Sequence, residues 1–174
     1  VQVFMTLLFS LTVVLTYLIG KRLWDDDLGY YAGMLLLGIP YLFSQVPLML
    51  VDVPSMFFLS FSIYAFIRAL DLGGKNVFIA VFAIFCTFFA KYSTWLMLSI
   101  LAVIFFVHLL HQPASARKTS ISRAFFIAAL SFAMIIAVVY PKADVFRRQM
   151  DLLVNYQKPG LQRWGESFLS TLFF

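Results

Sequence analysis

Two ionisable side chains stand where apolar runs reverse direction: Asp52 in Leu50-Val51-Asp52-Val53-Pro54, and Lys91 in Ala90-Lys91-Tyr92-Ser93. A charge at the centre of a bilayer costs roughly 2.5 to 3.5 kcal/mol on insertion scales, so such residues face water, a partner or a cavity. A carboxylate and an ammonium at one boundary between water and lipid could share a cleft and handle a negatively charged, membrane-borne molecule. Each also has a use that requires no ligand. Asp52 has the type and position of an N-cap for the helix that follows, and Lys91 can snorkel to phosphate headgroups. From spacing alone both readings stand.

Other groups offer less. Arg147 and Arg148 lie in residues 144–156, where Val145, Met150, Leu152 and Leu153 alternate with charges, the pattern of a helix lying on a membrane surface. His108 and His111 have the spacing of two ligands on one helical face, but no cysteine or carboxylate neighbours them in the sequence. Phe57, Phe58, Phe61 and Tyr64 form a helical stripe that reads as packing or lipid contact. Gly73-Gly74 marks a turn, because nothing resembling a nucleotide-binding motif follows it. The single cysteine, Cys86, excludes an intrachain disulfide.

What must position these residues is set by composition. Hydrophobic residues make up 63% of the chain and charged residues 12%, with a mean hydropathy of +0.94. A water-soluble domain of that composition would expose large apolar patches, whereas a bilayer solvates them. The net charge of +5 would suggest nucleic acid in a soluble protein. Here the basic residues fall between apolar runs and read as topology signals, so nucleic-acid binding is set aside.

About twenty apolar residues at 1.5 Å each cross the hydrocarbon layer as a helix. That measure predicts an all-α, polytopic transmembrane bundle forming one membrane domain over residues 1–174, with helices at 1–19, 30–46, 54–70, 76–90, 95–110 and 124–140 and another starting at 167. Gly20 should stop the first helix, Pro40 kink the second and Pro47 end it. Residues 76–110 contain no glycine or proline, yet one helix of that length would exceed the bilayer, so a break is placed near Lys91. Residues 111–123 read as a polar loop, and Pro141 as the end of the sixth helix.

With six crossings, Lys21, Arg22, Arg68, Lys75, Arg117, Lys118 and Arg123 fall on one face, which the positive-inside rule makes cytoplasmic. Asp25, Asp26 and Asp27 belong to a solvated turn on that face. Lys142, Arg147, Arg148, Lys158 and Arg163 then lie outside. Merging the fourth and fifth helices would exchange these groups, so charge counting does not decide between the two topologies.

Three stretches carry a family resemblance: Gly38-Ile39-Pro40-Tyr41-Leu42-Phe43-Ser44-Gln45; Leu48-Met49-Leu50-Val51-Asp52-Val53-Pro54-Ser55-Met56-Phe57-Phe58; and Tyr64-Ala65-Phe66-Ile67-Arg68-Ala69-Leu70. A proline-kinked helix leading to an Asp-x-Pro turn, then an aromatic helix ending in Arg-Ala, resembles the dolichyl-phosphate-mannose protein mannosyltransferase-like enzymes. These are GT-C fold glycosyltransferases of family 39, with bacterial aminoarabinose transferases as relatives. Ala90-Lys91-Tyr92-Ser93-Thr94-Trp95 is similar to the reversal after that family's next short helix. The resemblance covers residues 30–110.

What it implies is a transferase that takes a sugar from a polyprenyl-phosphate donor on the non-cytoplasmic side and passes it to a protein or glycolipid acceptor. A lipid carrier needs a groove open to the bilayer, and its phosphate leaving group needs cations or a metal. On this reading Lys91 holds the phosphate, and Asp52 orients the acceptor or helps place a divalent metal ion. Arg147 and Arg148 are further phosphate contacts, with surface anchoring as their alternative. The family's presumed general base is an acidic residue of the first outer loop, which would precede Val1. The chain is therefore expected to be a fragment lacking its catalytic base, and Asp25 to Asp27, on the opposite face, cannot replace it. The short loops favour a bacterial inner membrane over the endoplasmic reticulum. Two rivals remain: a transporter or flippase segment, with a midplane site and a second half of similar layout, and a non-catalytic membrane assembly subunit.

Overall fold

In hydrocarbon every backbone polar group must be satisfied within the chain, so apolar segments of this kind are driven into helices. The computed structural model describes residues 2–40, 52–90, 97–145, 147–148 and 151–152. Among these residues there is no strand. The helices are α1 (Gln2–Leu23), α2 (Asp26–Leu37), α3 (Asp52–Leu72), α4 (Lys75–Ala90), α5 (Met97–His111) and α6 (Ala114–Val139), the last followed by a 3-10 turn at Tyr140–Lys142. By length and apolarity, α1, α3 and the run Ala114–Val145 can cross a membrane, while α4 and α5 are shorter apolar helices. Two compact units divide the chain, Val1–Phe132 and Ala133–Phe174.

The first unit is built on hairpins. Gly20 does not end α1, which continues to Leu23; it is buried against Gly29 of α2. A Cβ on Gly20 would lie 2.7 Å from Gly29 Cα, and one on Gly29 would lie 2.6 Å from Tyr17 O. Backbones meet at this point, and only glycine permits it. α2 begins at Asp26, four residues before the expected Tyr30, because Asp25 caps it by accepting a hydrogen bond from Leu28 N at 2.7 Å. It closes at Leu37, where Gly38 N donates to Met34 O and Leu35 O. Ile39 precedes Pro40, a position that disfavours helical backbone. Pro47, like the rest of residues 41–51, lies outside the described residues.

α3 and α4 form the second hairpin and pack together more extensively than any other pair among the described helices. Gly73 and Gly74 turn the chain with φ of 63° and 56°, the left-handed region that suits glycine. Asn76, Ala80, Ala83 and Thr87, spaced along one face of α4, are all buried. Small side chains there allow close helix contact, which replaces the hydrophobic drive that lipid does not supply. Thr87 Oγ1 donates to Phe58 O at 2.8 Å, fixing the antiparallel register. α5 runs the other way from α4: Met97 Sδ accepts from Ser62 Oγ at 3.2 Å, and His108 reaches Asp71. Separate helices therefore end at Ala90 and start at Met97, with residues 91–96 outside the described residues.

α6 starts at Ala114, so most of the stretch read as a polar loop is helical. Ser, Ala, Lys and Arg tolerate helical backbone, and Pro113 stands immediately before the first turn. Large apolar side chains such as Phe78, Phe82, Phe106 and Phe125 are exposed on the outside of the unit, a surface suited to lipid. In the second unit, Pro141 sits inside the 3-10 turn, and residues 143–145, 147–148 and 151–152 are helical. The start of a helix at 167 lies outside the described residues.

Candidate functional site

The first unit has two chemically different ends. At one end the α1–α2, α3–α4 and α5–α6 connections come together around Asp71. Arg22 Nε donates to Asp71 Oδ2 at 2.8 Å, and His108 Nε2 lies 3.5 Å from Asp71 Oδ1. Arg123 Nη1 donates to Leu70 O at 2.6 Å and to Asp71 O at 2.8 Å, closing carbonyls that α3 leaves unpaired at its end. Gln112 lies 2.8 Å from His108 and accepts from Ser120 Oγ at 2.7 Å. Lys21, Arg22, Arg68, Lys75, Arg117 and Lys118 sit near the helix ends here, and Arg123, from the third turn of α6, reaches the same basic end through its bonds to Leu70 O and Asp71 O.

This cluster fastens the ends of three hairpins to one another. Asp71 supplies the carboxylate neighbour that the sequence around His108 lacks, from another helix. Removing Arg123 has a defined consequence: Arg123→Gln leaves two partly buried carbonyls without their donor and is expected to destabilise the protein by about 1 to 3 kcal/mol. Thermal unfolding of the complete protein in detergent measures it; an unchanged midpoint would show that water satisfies those carbonyls equally well. On the same end, hydrogen bonds from Lys21 and then Tyr17 hold the Asp26 carboxyl below its ordinary range. What the Asp26 carboxylate contributes is therefore complete above the ordinary carboxylate pKa and is lost as pH falls through the lowered one, while the Lys21 ammonium, held above its ordinary range by Asp26 and Tyr17, loses its share only at high pH.

Asp52 is at the opposite end. It is the first residue of α3, half-buried, and therefore inside the first helical turn rather than before it, while Pro54 also falls in that turn. A carboxylate there interacts favourably with the helix dipole. Beneath it Val53 packs with Leu8 and Phe9 of α1, backed by Met5, Val13 and Phe57. Phe57 also stacks on Phe61, with centroids 6.0 Å apart, so that part of the aromatic stripe is packing. The Thr87–Phe58 bond places Ala90 level with Ser55, about 5 Å along the axis from Asp52. α4 thus ends within one helical turn of the height at which α3 begins.

Of the four residues assigned by resemblance to donor or acceptor, Asp52 has a described position in the first unit. Lys91 lies outside the described residues. Arg147 and Arg148 are helical and exposed in the second unit. Among the described residues no group of three or more His, Cys, Asp or Glu is gathered. Within the first unit Asp52 is also the one described carboxylate away from the basic end. A divalent cation takes several oxygen ligands, so the described residues do not by themselves make a metal site.

Helices with an apolar exterior, a basic end and, among the described residues of the first unit, one carboxylate at the other end define a polytopic integral membrane protein. The chain belongs to the dolichyl-phosphate-mannose-protein mannosyltransferase family, which it matches over residues 1–140. That family is one of membrane glycosyltransferases. Comparison with curated proteins and with solved structures gives no match.

Proposed function

We propose that the chain is part of a glycosyltransferase of family 39 type that takes a sugar from a polyprenyl-phosphate donor on the non-cytoplasmic side and transfers it to a protein or glycolipid acceptor. Family membership over residues 1–140 carries the reaction class. The face is proposed from charge: the basic end is the cytoplasmic one, and Asp52 then opens to the other side. The bacterial inner membrane is the proposed location.

In this reading the donor's isoprenoid chain lies against the apolar bundle and its phosphate meets Lys91. As the bond from the sugar's anomeric carbon to the phosphate oxygen breaks, negative charge grows on the leaving phosphate. An ammonium fixed beside it stabilises that charge more in the transition state than in the ground state. Asp52 orients the acceptor by accepting a hydrogen bond from it. The register that brings the end of α4 level with the start of α3 supports the pairing of these two residues. The proton acceptor is not among the residues proposed here. Arg147 and Arg148 are proposed as secondary contacts to phosphate, the carrier's or that of bulk lipid.

The test is transfer by the complete protein from labelled polyprenyl-phosphate sugars, run as a panel of hexose and pentose donors with protein and glycolipid acceptors. Release of free polyprenyl phosphate coupled to acceptor labelling is the expected result. Binding of the donor with no transfer to any acceptor would remove the enzymatic reading.

A further inference from the structure

At the basic end, far from Asp52, a groove of about 240 Å³ opens between α3 and α4, lined by Phe61, Tyr64, Ala65 and Arg68 on one helix and Asn76 and Ile79 on the other. Positions 61, 64, 65 and 68 recur at helical spacing, so the groove follows α3 for about 10 Å. Most of its wall is apolar, and the Arg68 guanidinium stands at the end nearer the connecting turn. Arg68 is exposed and has no carboxylate partner among the described residues. Asp71, one helical turn on, is held by Arg22 at 2.8 Å and is not available to neutralise it. Lys75, exposed at the first position of α4, adds a second positive charge.

An apolar slot ending in a cation with no carboxylate partner among the described residues, beside the exposed Phe78 and Ile79, matches an amphiphile with an anionic head. Arg68 lies four residues from the end of α3, about 6 Å along the axis, which places it at headgroup depth when the end of the helix meets the membrane surface. Basic residues outnumber acidic ones around it, which favours a net negative headgroup over a zwitterionic one. Tyr64 adds a hydroxyl to the lining, and aromatic rings with a polar tip suit this layer.

We propose that this groove binds one anionic phospholipid of the leaflet facing the basic end, with an acyl chain between α3 and α4 and the phosphate paired with Arg68. The occupant is distinct from any sugar carrier at the Asp52 end, and the proposal holds whether or not the transferase reading does. Tight lipid binding there would brace the α3–α4 hairpin by mass action.

Native mass spectrometry of the complete protein, titrated with phosphatidylglycerol and with phosphatidylcholine of the same acyl chains, tests it. One phosphatidylglycerol should bind with clear preference. Arg68→Gln should weaken that binding about tenfold, the scale of one charged hydrogen-bonded contact, whereas Arg68→Lys should keep most of it. Ile79→Trp, at an exposed position that tolerates bulk, should block the slot and reduce binding of both lipids. Equal affinity for the two lipids in the wild type, or phosphatidylglycerol binding unchanged in both Arg68→Gln and Ile79→Trp, would overturn the proposal. So would a second copy of the chain, rather than lipid, being the species that Ile79→Trp displaces.

Discussion

Lys91→Ala in the complete protein is expected to slow sugar transfer by about 100-fold, the usual effect of losing one charge-stabilising contact to a leaving group. Asp52→Asn should lower it by about 10- to 100-fold, because the amide keeps the shape but loses the charge that holds the acceptor. The two variants should differ in kinetics. Lys91→Ala acts on a charge that grows as the bond breaks, so kcat falls more than donor KM rises, and Lys91→Arg recovers part of the rate. Asp52→Asn should act mainly through the acceptor. Neither change should move the thermal midpoint by much, since Asn is also tolerated at the start of a helix. Transfer at the wild-type rate in both variants would defeat the assignment of these residues while leaving the family and the fold in place.

The fold was legible to the extent that burying backbone in lipid allows few answers. Long apolar runs had to be helices, and the hydropathy of α1 and α3 located them without any tertiary information. Their ends were harder, because residues at a helix end serve packing as well as termination. Gly20 looks like a stop but is a contact point inside α1. Asp25 and Asp26 look like a solvated turn but cap and begin α2. Residues 114–123 look like a loop because they are polar, yet polarity is compatible with helix once the segment leaves the hydrocarbon.

The site divides along the same line. Asp52 was legible because a charge beside an Asp-x-Pro turn between apolar runs has few reasons to be there. The fastening of the basic end was not. Its pairs join residues 49 and 53 positions apart, Arg22 with Asp71 and Arg123 with Leu70, and nothing local marks them. In the sequence Arg22 and Arg123 carry no mark beyond that of topology signals. A basic residue near a membrane surface does serve that purpose, and the same guanidinium can also close the carbonyls of a neighbouring helix.

How firmly Asp52 is placed depends on a contact at the other end of the unit, and this gives the largest expected effect on stability. At Gly29 an added Cβ would sit 2.6 Å from Tyr17 O and 2.7 Å from Lys21 N, backbone atoms of α1 that no side-chain rotation can move aside. Gly29→Leu should therefore push α1 from α2 and cost at least about 3 kcal/mol, the upper end of ordinary overpacking. Gly33, one turn further along α2, makes the internal control: its added Cβ would find Tyr17 Cβ at 3.6 Å, an ordinary contact. Gly33→Ala should leave stability unchanged or raise it by up to about 1 kcal/mol through helix propensity. Unfolding of the complete protein in mixed micelles reads both substitutions on one scale. Opposite signs at two glycines of one helix would show that close approach, not glycine content, sets the hairpin. Because Leu8 and Phe9 of α1 pack on Val53 beside Asp52, displacing α1 should also lower transfer in Gly29→Leu protein that remains folded. Equal tolerance at positions 29 and 33 would mean that the two backbones do not meet as described, and that α1 does not hold the start of α3.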